Sequence, residues 1–340
     1  MTSTPLLSSQ RPGANLVRTS IMLASLLFAP FAATAETYPS RSITILVPYA
    51  AGGPTDVIAR ILGEHMGRTM GQPFIIDNTA GAGGTIAADK VSKSPADGYT
   101  LLLHHLALVA APSLYSNLRY DTRTAFAPIG LVNTGPLVIV SRKTLPANNA
   151  AELFAWIKAG GEKVTVGHAG AGSNAHLCGV QLEQTLATKV TFVPYRGAAP
   201  AMNDLIAGQI DLICDQSTNS VPQILAGTVK AYAVTSTGRN AAIPEVPTVA
   251  EVGIPNVNFS VWHGLYAPKG TPDAVIARLN AELAAAVDDK AVQDKFALVG
   301  TLVYPKPQRT VAAHSDLFAK DYDRITKLVD AAGIKIGEAK

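Results

Sequence analysis

Residues 42–60 read SITILVPYAAGGPTDVIAR, an apolar run rich in β-branched residues, then a glycine pair, then a helix-forming segment whose first turn is polar. A buried strand that passes through a glycine turn straight into a helix leaves the helix start exposed at the strand's end. The first N–H groups of a helix have no partner within it, and the aligned peptide dipoles place roughly half a positive charge there, so such a junction suits a carboxylate or phosphate. Gly52 and Gly53 let backbone approach a ligand closely, Pro54 fits a first-turn position where its missing N–H costs nothing, and Thr55 or Asp56 can serve the opening turn. An ordinary strand-to-helix connection would read the same way, because a helix start binds an anion only where a cleft faces it.

Upstream, Arg11 and Arg18 precede an apolar run from Ile21 to about Ala32, and Ala33-Thr34-Ala35 fits the small-x-small cleavage pattern, so residues 1–35 are expected to be an export signal. That run is too short for a transmembrane helix. Removing residues 1–35 takes away two arginines and no acid, so the net charge falls from +3 to about +1. With no basic run and no interleaved aromatic and basic stripe, nucleic acid is not an expected partner. Cys178 and Cys214 are the two cysteines; export allows one bridge, while their apolar surroundings equally suit buried thiols. No CxxC or HxxxH spacing suggests a metal site.

Strand-like and helix-like runs alternate from Ser42 to Leu103 and again from Leu137 to Thr235, which is the βαβ rhythm of a parallel sheet. Phe259 to Ala267 reads as a strand leading back, followed by helices near Thr271 to Ala286, Ala291 to Leu298 and Thr310 to Ala332. The C-terminal segment has too few strands for a third lobe, so its helices are expected to pack on the first. The expectation is a two-lobe α/β fold with residues 36–138 plus 262–340 as a discontinuous first lobe and 139–261 as the second. Crossings near Leu137–Arg142 and Phe259–Gly264 would join the lobes and leave a ligand cleft between them.

A second glycine-rich junction, Gly167-His168-Ala169-Gly170-Ala171-Gly172-Ser173-Asn174-Ala175-His176, mirrors the first, with Ser173 as a natural N-cap and His176 beside the same helix start. If the two junctions face each other, a carboxylate is gripped from both lobes and binding is coupled to closure. His104 and His105 follow the strand Tyr99 to Leu103; adjacent residues on extended backbone point to opposite faces, so at most one should reach the cleft. Asp215 ends the strand Ile210 to Cys214 and is read first as a helix cap or water-orienting group, with reception of a ligand amine as the alternative. Arg196 could pair with a carboxylate or stay solvated, and Tyr49 could wall the cleft. Gly81-Ala82-Gly83-Gly84 is half a dinucleotide fingerprint, but its third glycine position is Ile86, so a tight loop at the cleft rim is expected.

Taken in order, VPYAAGGPTDVIAR, GAGGTIAADKV, PADGYTLLL, GHAGAGSNAHL, VPYRGAAPAMNDLIAGQIDLICD, KAYAVTSTGRNAAIPEVPTVAEVGIP and WHGLYAPKGTP resemble the Bug family of periplasmic solute-binding receptors of tripartite tricarboxylate transporters. The resemblance runs from about Tyr38 to Val329. It implies a type II-like Venus-flytrap fold that captures a small organic acid and delivers it to the permease subunits of the membrane transporter, as a monomer, without catalysis and without a cofactor. It further implies that backbone and ordered water hold a ligand carboxylate at Tyr49 to Thr55, including Gly52 and Gly53, and at Gly170 to Asn174, including Gly172 and Ser173. Ala82, Gly83, His104, His105, Arg196 and Asp215 are then the positions that read the rest of the ligand. His104-His105-Leu106 stands where relatives are commonly small and polar. An exported carboxylate-sensing subunit for a membrane signalling protein is the alternative. An enzyme on this scaffold would need a nucleophile elbow, metal set or nucleotide loop, for which the sequence has no pattern.

Overall fold

A computed structural model of the chain describes residues 1–5 and 38–332, so the expected signal run and its cleavage point lie outside the described residues. From Tyr38 the chain forms β1 (Ile43–Val47), α1 (Pro54–Met70), β2 (Phe74–Asn78), α2 (Thr85–Ser92), β3 (Thr100–His105), α3 (Ala107–Leu114) and the long β4 (Phe126–Arg142). It continues through α4 (Ala150–Gly160), β5 (Thr165–His168), α5 (Asn174–Leu186), β6 (Thr191–Pro194), α6 (Ala198–Ile206), β7 (Leu212–Gln216), α7 (Ser217–Leu225) and β8 (Val229–Val234). It closes with β9 (Ser260–Pro268), α8 (Asp273–Asp288), α9 (Lys290–Leu298), β10 (Leu302–Val303) and α10 (Val311–Ala332). No helix among the described residues is long and apolar enough to cross a membrane.

The strands follow the order β2-β1-β3-β9-β4-β7-β5-β6, and the sheet is mixed rather than parallel throughout. β1 pairs in parallel with β2 and β3, and β5 with β6 and β7, whereas β9 and β4 run antiparallel to their neighbours. The lobes meet where β4 changes partners: Phe126 to Pro136 pair with β9, and Leu137 to Arg142 with β7 and β8. Pro136 has no N–H to extend the ladder, so a proline at that step ends one pairing and begins the next. Thr235 pins both crossing segments. Its backbone N–H donates to the Leu137 carbonyl at 2.9 Å, its Oγ1 accepts the Leu137 N–H at 2.9 Å, and its carbonyl accepts the Phe259 N–H at 3.0 Å.

Apolar periodicity decides what lies beneath. α1 buries Ile58, Ala59, Leu62 and Met66 on one face, against Ile43, Ile45 and Val47 of β1. That cluster draws only on residues 43–132 and 265–296, apart from partly buried neighbours, while another gathers Val138, Val140, Leu205, Ile213 and Val234 from the second lobe. Besides the two-residue β10, two elements escape the sequence reading. α3 is buried along almost its whole length and holds Pro112, so neither amphipathic periodicity nor an unbroken helix pattern announces it. The first half of β4 carries Pro128, Gly130, Gly135 and Pro136, residues that normally mark loops, and it accommodates them with two bulges against β9. Cys178 of α5 and Cys214 of β7 form a disulfide with Cα atoms 6.1 Å apart, which settles the choice the sequence left open.

Candidate functional site

The two glycine junctions face each other. Between them lies a narrow cavity lined by Tyr49, Pro54, Thr55 and His105 from the first lobe and by Ala169, Ser173, Asn174, Ala175, Ala198, Asp215 and Gln216 from the second. Four helices begin at this lining: α1 at Pro54, α5 at Asn174, α6 at Ala198, and α7, whose cap is Gln216. Their dipoles sum to an environment that favours negative charge, and among the described residues no lysine or arginine lines the cavity. Asn174 is 2% exposed, and neither atom of its side-chain amide has a hydrogen-bond partner among the described residues. A buried amide left in that condition costs on the order of 1–3 kcal/mol, so its presence points to a ligand-facing role.

The junctions share a local device. Gly52 N–H donates to Asp56 Oδ2 at 2.9 Å, and Gly172 N–H donates to His176 Nδ1 at 3.2 Å, each acceptor lying four residues on. Ser173 caps α5 by accepting the His176 N–H at 3.3 Å. Gly52, Gly53, Gly172 and His176 therefore brace the turns and stand outside the cavity lining, while the side chains of Thr55, Ser173 and Asn174 belong to it. Burial alone would raise the Asp56 carboxyl, but hydrogen bonds from Arg60 and the Gly52 N–H bring it below the usual range. Burial pushes His176 down to about 4, so it is neutral and able to accept.

On the first-lobe side the wall is aromatic. Tyr49 stacks on His105 at 4.9 Å between ring centres and 13° between planes, and His263 of β9 meets His105 edge-on at 5.5 Å. His263 Nε2 lies 3.1 Å from Thr55 Oγ1. His105 lines the cavity; His104 turns away beneath Gly84, with its Nδ1 accepting the His105 N–H at 2.8 Å. Burial lowers all three imidazoles, His104 and His263 to about 3, so the cluster carries no charge near neutrality. His263 was not singled out from the sequence. A histidine in the middle of the apolar strand VWHGLYA was the available signal.

Asp215 is fully buried and faces the same cavity from the end of β7. Its Oδ1 accepts the Gln216 N–H at 2.8 Å and its Oδ2 accepts from Asn219 Nδ2 and Ser220 Oγ, so it is tied to the side chains of the first turn of α7 without capping that helix's backbone. Arg196 is exposed, and its contribution to the junction is its backbone carbonyl, which accepts the Ala50 N–H from the other lobe at 3.0 Å. Ala82 and Gly83 form the rim. Tyr49 OH donates to the Gly83 carbonyl at 3.0 Å, and Tyr115 OH crosses the cleft to the Ala171 carbonyl at 2.8 Å. The lobes come so close here that a Cβ on Gly83, whose φ is +63°, would sit 2.2 Å from the Ala171 oxygen.

A larger hollow of about 300 Å³ lies on the crossover side, around Pro136, Ser236 to Ala242 and Leu302. Two of its polar side chains are already engaged: Asn240 donates to the Gly300 carbonyl and accepts from the Ala242 N–H, and Arg239 pairs with Glu251. It therefore offers a ligand less than the smaller cavity does.

The model of the tripartite tricarboxylate transporter family receptor matches residues 58–333. A protein of Agrobacterium vitis, named for the TAR-I ttuE-ttuC' intergenic region, is 41% identical over 314 residues, 92% of this chain and 91% of its own length. The solved structure of the periplasmic binding protein BugD superposes with a TM-score of 0.85 at 41% identity, over 88% of this chain and all of that one. MatC from Rhodopseudomonas palustris, solved with bound malate, gives 0.83 at 36% identity over 86% of this chain and all of that one. A cleft built from two helix-start junctions, in the periplasmic-binding-protein fold these relatives share, agrees with the family match along most of the sequence, and the chain belongs to the tripartite tricarboxylate transporter family of receptors.

Proposed function

We propose that this protein is exported, loses its signal near Ala35, and captures a small organic carboxylate in the cavity between the lobes for delivery to the permease of a tripartite tricarboxylate transporter. The lobes are residues 36–138 with 262–340, and 139–261. The observation that carries this reading is Asn174: a buried amide with both atoms unpartnered among the described residues, set at a helix start and facing three further helix starts. A ligand carboxylate would accept from the amide N–H and from first-turn N–H groups, and the side-chain carbonyl would take a ligand donor or a bound water. Malate bound to MatC, 36% identical to this chain, supports the chemical class.

Binding shifts the lobes only if the ligand touches both, since contacts with one lobe alone favour neither conformation. The lining from both lobes and the cross-cleft bonds Ala50 to Arg196 and Tyr115 to Ala171 support a closed, ligand-holding form. Native mass spectrometry and a thermal-shift screen of the purified mature protein against aliphatic, aromatic and amino-acid carboxylates test the reading. A bound acid, or a concentration-dependent rise in melting temperature with one subset, is the expected result. A folded, ligand-free protein that responds to no carboxylate overturns it. Deletion of the gene should abolish uptake of that acid; altered transcription with intact uptake would favour a sensing role instead.

A further inference from the structure

The hollow on the crossover side is shared between the lobes. Gly135, Pro136 and Leu302 line it from the first, and Arg239, Asn240 and Ala242 from the second. Its volume of about 300 Å³ stands at the lower end of the range for small-molecule sites, roughly 300–1,000 Å³. Arg239 is the one ionisable residue in the lining among the described residues, and its guanidinium is fully engaged. Nε donates to the Glu251 carboxylate at 3.1 Å and Nη2 at 2.9 Å, while Nη1 donates to the Pro244 carbonyl at 3.0 Å. Ser236 and Thr301 donate to the carbonyls of Gly238 and Thr134. Much of what remains is alanine, proline and glycine surface, with Leu302 66% exposed beside it. A charged molecule would find no countercharge here, whereas an apolar one would cover surface that is otherwise wet.

The hollow is mechanically tied to the ligand cavity. Asn240 Nδ2, from the second lobe, donates to the Gly300 carbonyl of the first at 2.7 Å. Gly300 has a φ of +69°, and a Cβ there would lie 2.7 Å from Val221 Cγ2, so this corner has no slack. Val221 belongs to α7, whose cap Gln216 lines the ligand cavity. One helix therefore starts at one cavity and packs against the wall of the other. A molecule in the hollow touches both lobes in their closed arrangement, and contacts that exist in one arrangement shift the balance toward it. We propose that the hollow is a second binding site, for an uncharged and mainly apolar molecule the size of one or two fused aromatic rings, and that its occupant tightens binding of the acid by favouring the closed form. The coupling rests on the carboxylate-receptor reading above; the site itself does not.

Indole, phenol and benzyl alcohol serve as probes. Calorimetry on the mature protein is expected to show saturable binding of at least one of them, with benzylammonium, which matches benzyl alcohol in size but carries a charge, at least about tenfold weaker. Titrating the identified acid in the presence of saturating probe should give an affinity at least about fivefold tighter, and by linkage the acid should tighten the probe by the same factor. Leu302→Asp puts a charge beside the hollow on an exposed position; it should abolish probe binding and leave the affinity for the acid alone unchanged. Ala242→Phe fills the space and should tighten the acid without any probe. Competition between probe and acid would place the probe in the ligand cavity and overturns the inference. Absence of saturable binding, benzylammonium bound as well as benzyl alcohol, acid affinity unchanged by the probe, or probe binding that survives Leu302→Asp overturns it too, and each leaves the acid receptor standing. If no carboxylate binds, the receptor reading fails separately, and probe binding with its loss in Leu302→Asp still decides whether the hollow is a site. The wild-type titrations and Leu302→Asp suffice even if Ala242→Phe folds poorly.

Discussion

The two walls of the cleft are built from different materials. The first-lobe wall is a neutral aromatic stack of Tyr49, His105 and His263, with Thr55 held against His263, and its role is shape. On the second-lobe wall the unpartnered Asn174 amide, the Ser173 cap and the buried Asp215 carboxylate provide the polar chemistry. A receptor divided in this way can keep one wall as a fixed template while the other decides which ligand stays. Closure then joins template to reader, and affinity depends on their meeting.

The strongest test of that division removes the meeting itself. Gly83→Val should place a branched side chain on the Ala171 carbonyl and hold the lobes apart, lowering affinity for the identified acid by about a hundredfold or more. Calorimetry measures the loss, and small-angle scattering should show that ligand no longer compacts the variant; normal closure would break the comparison. Asn174→Ala should weaken binding roughly ten- to hundredfold while leaving the melting temperature equal or higher, because it removes an unsatisfied buried amide. A large fall in melting temperature with affinity intact would assign Asn174 to the scaffold. On the other wall His105→Phe keeps the stack on Tyr49, and affinity should change by less than about fivefold. A loss as great as that of Asn174→Ala would mean that the first-lobe wall also reads chemistry.

The smallest effect is one of pH. His104, His105 and His263 have folded values below the unfolded value of 6.5, so the unfolded chain binds more protons between the two, and stability is expected to fall as pH drops below about 6.5. Asp215 acts in the opposite sense. Its folded value of about 7 lies above the unfolded 3.8, so in that interval the native state holds the extra proton and gains stability as pH falls. Melting curves from pH 7.5 to 5 should therefore decline overall, and decline more steeply in Asp215→Asn, where the opposing contribution is gone. A flat profile would show that the imidazoles gain protons without opening the core.

Much of this arrangement was legible in the sequence because it is local. A strand followed by GGPTD or GSNAH and then a helical period places a helix start at a strand end, whatever the rest of the chain does. The competition within each junction was harder to see: Asp56 and His176 take the glycine N–H groups that the sequence offers to an anion, through side-chain geometry that spacing alone does not determine. His263 was hidden for a different reason. Its approach to Thr55 depends on β9 pairing with both β3 and β4, a contact between residues 208 positions apart. The prolines and glycines of β4 masked the element that carries one lobe into the other, since bulges rather than loops absorb them.

The Cys178–Cys214 bridge joins the helix that carries Asn174 to the strand that carries Asp215, across a separation of 36 residues. Closing a loop of that length removes chain entropy from the unfolded state on the order of 3–4 kcal/mol. The bond can form only where thiols are oxidised, so on the export proposed above the polar wall gains its covalent fastening outside the reducing interior of the cell, whereas the aromatic wall holds no such bond.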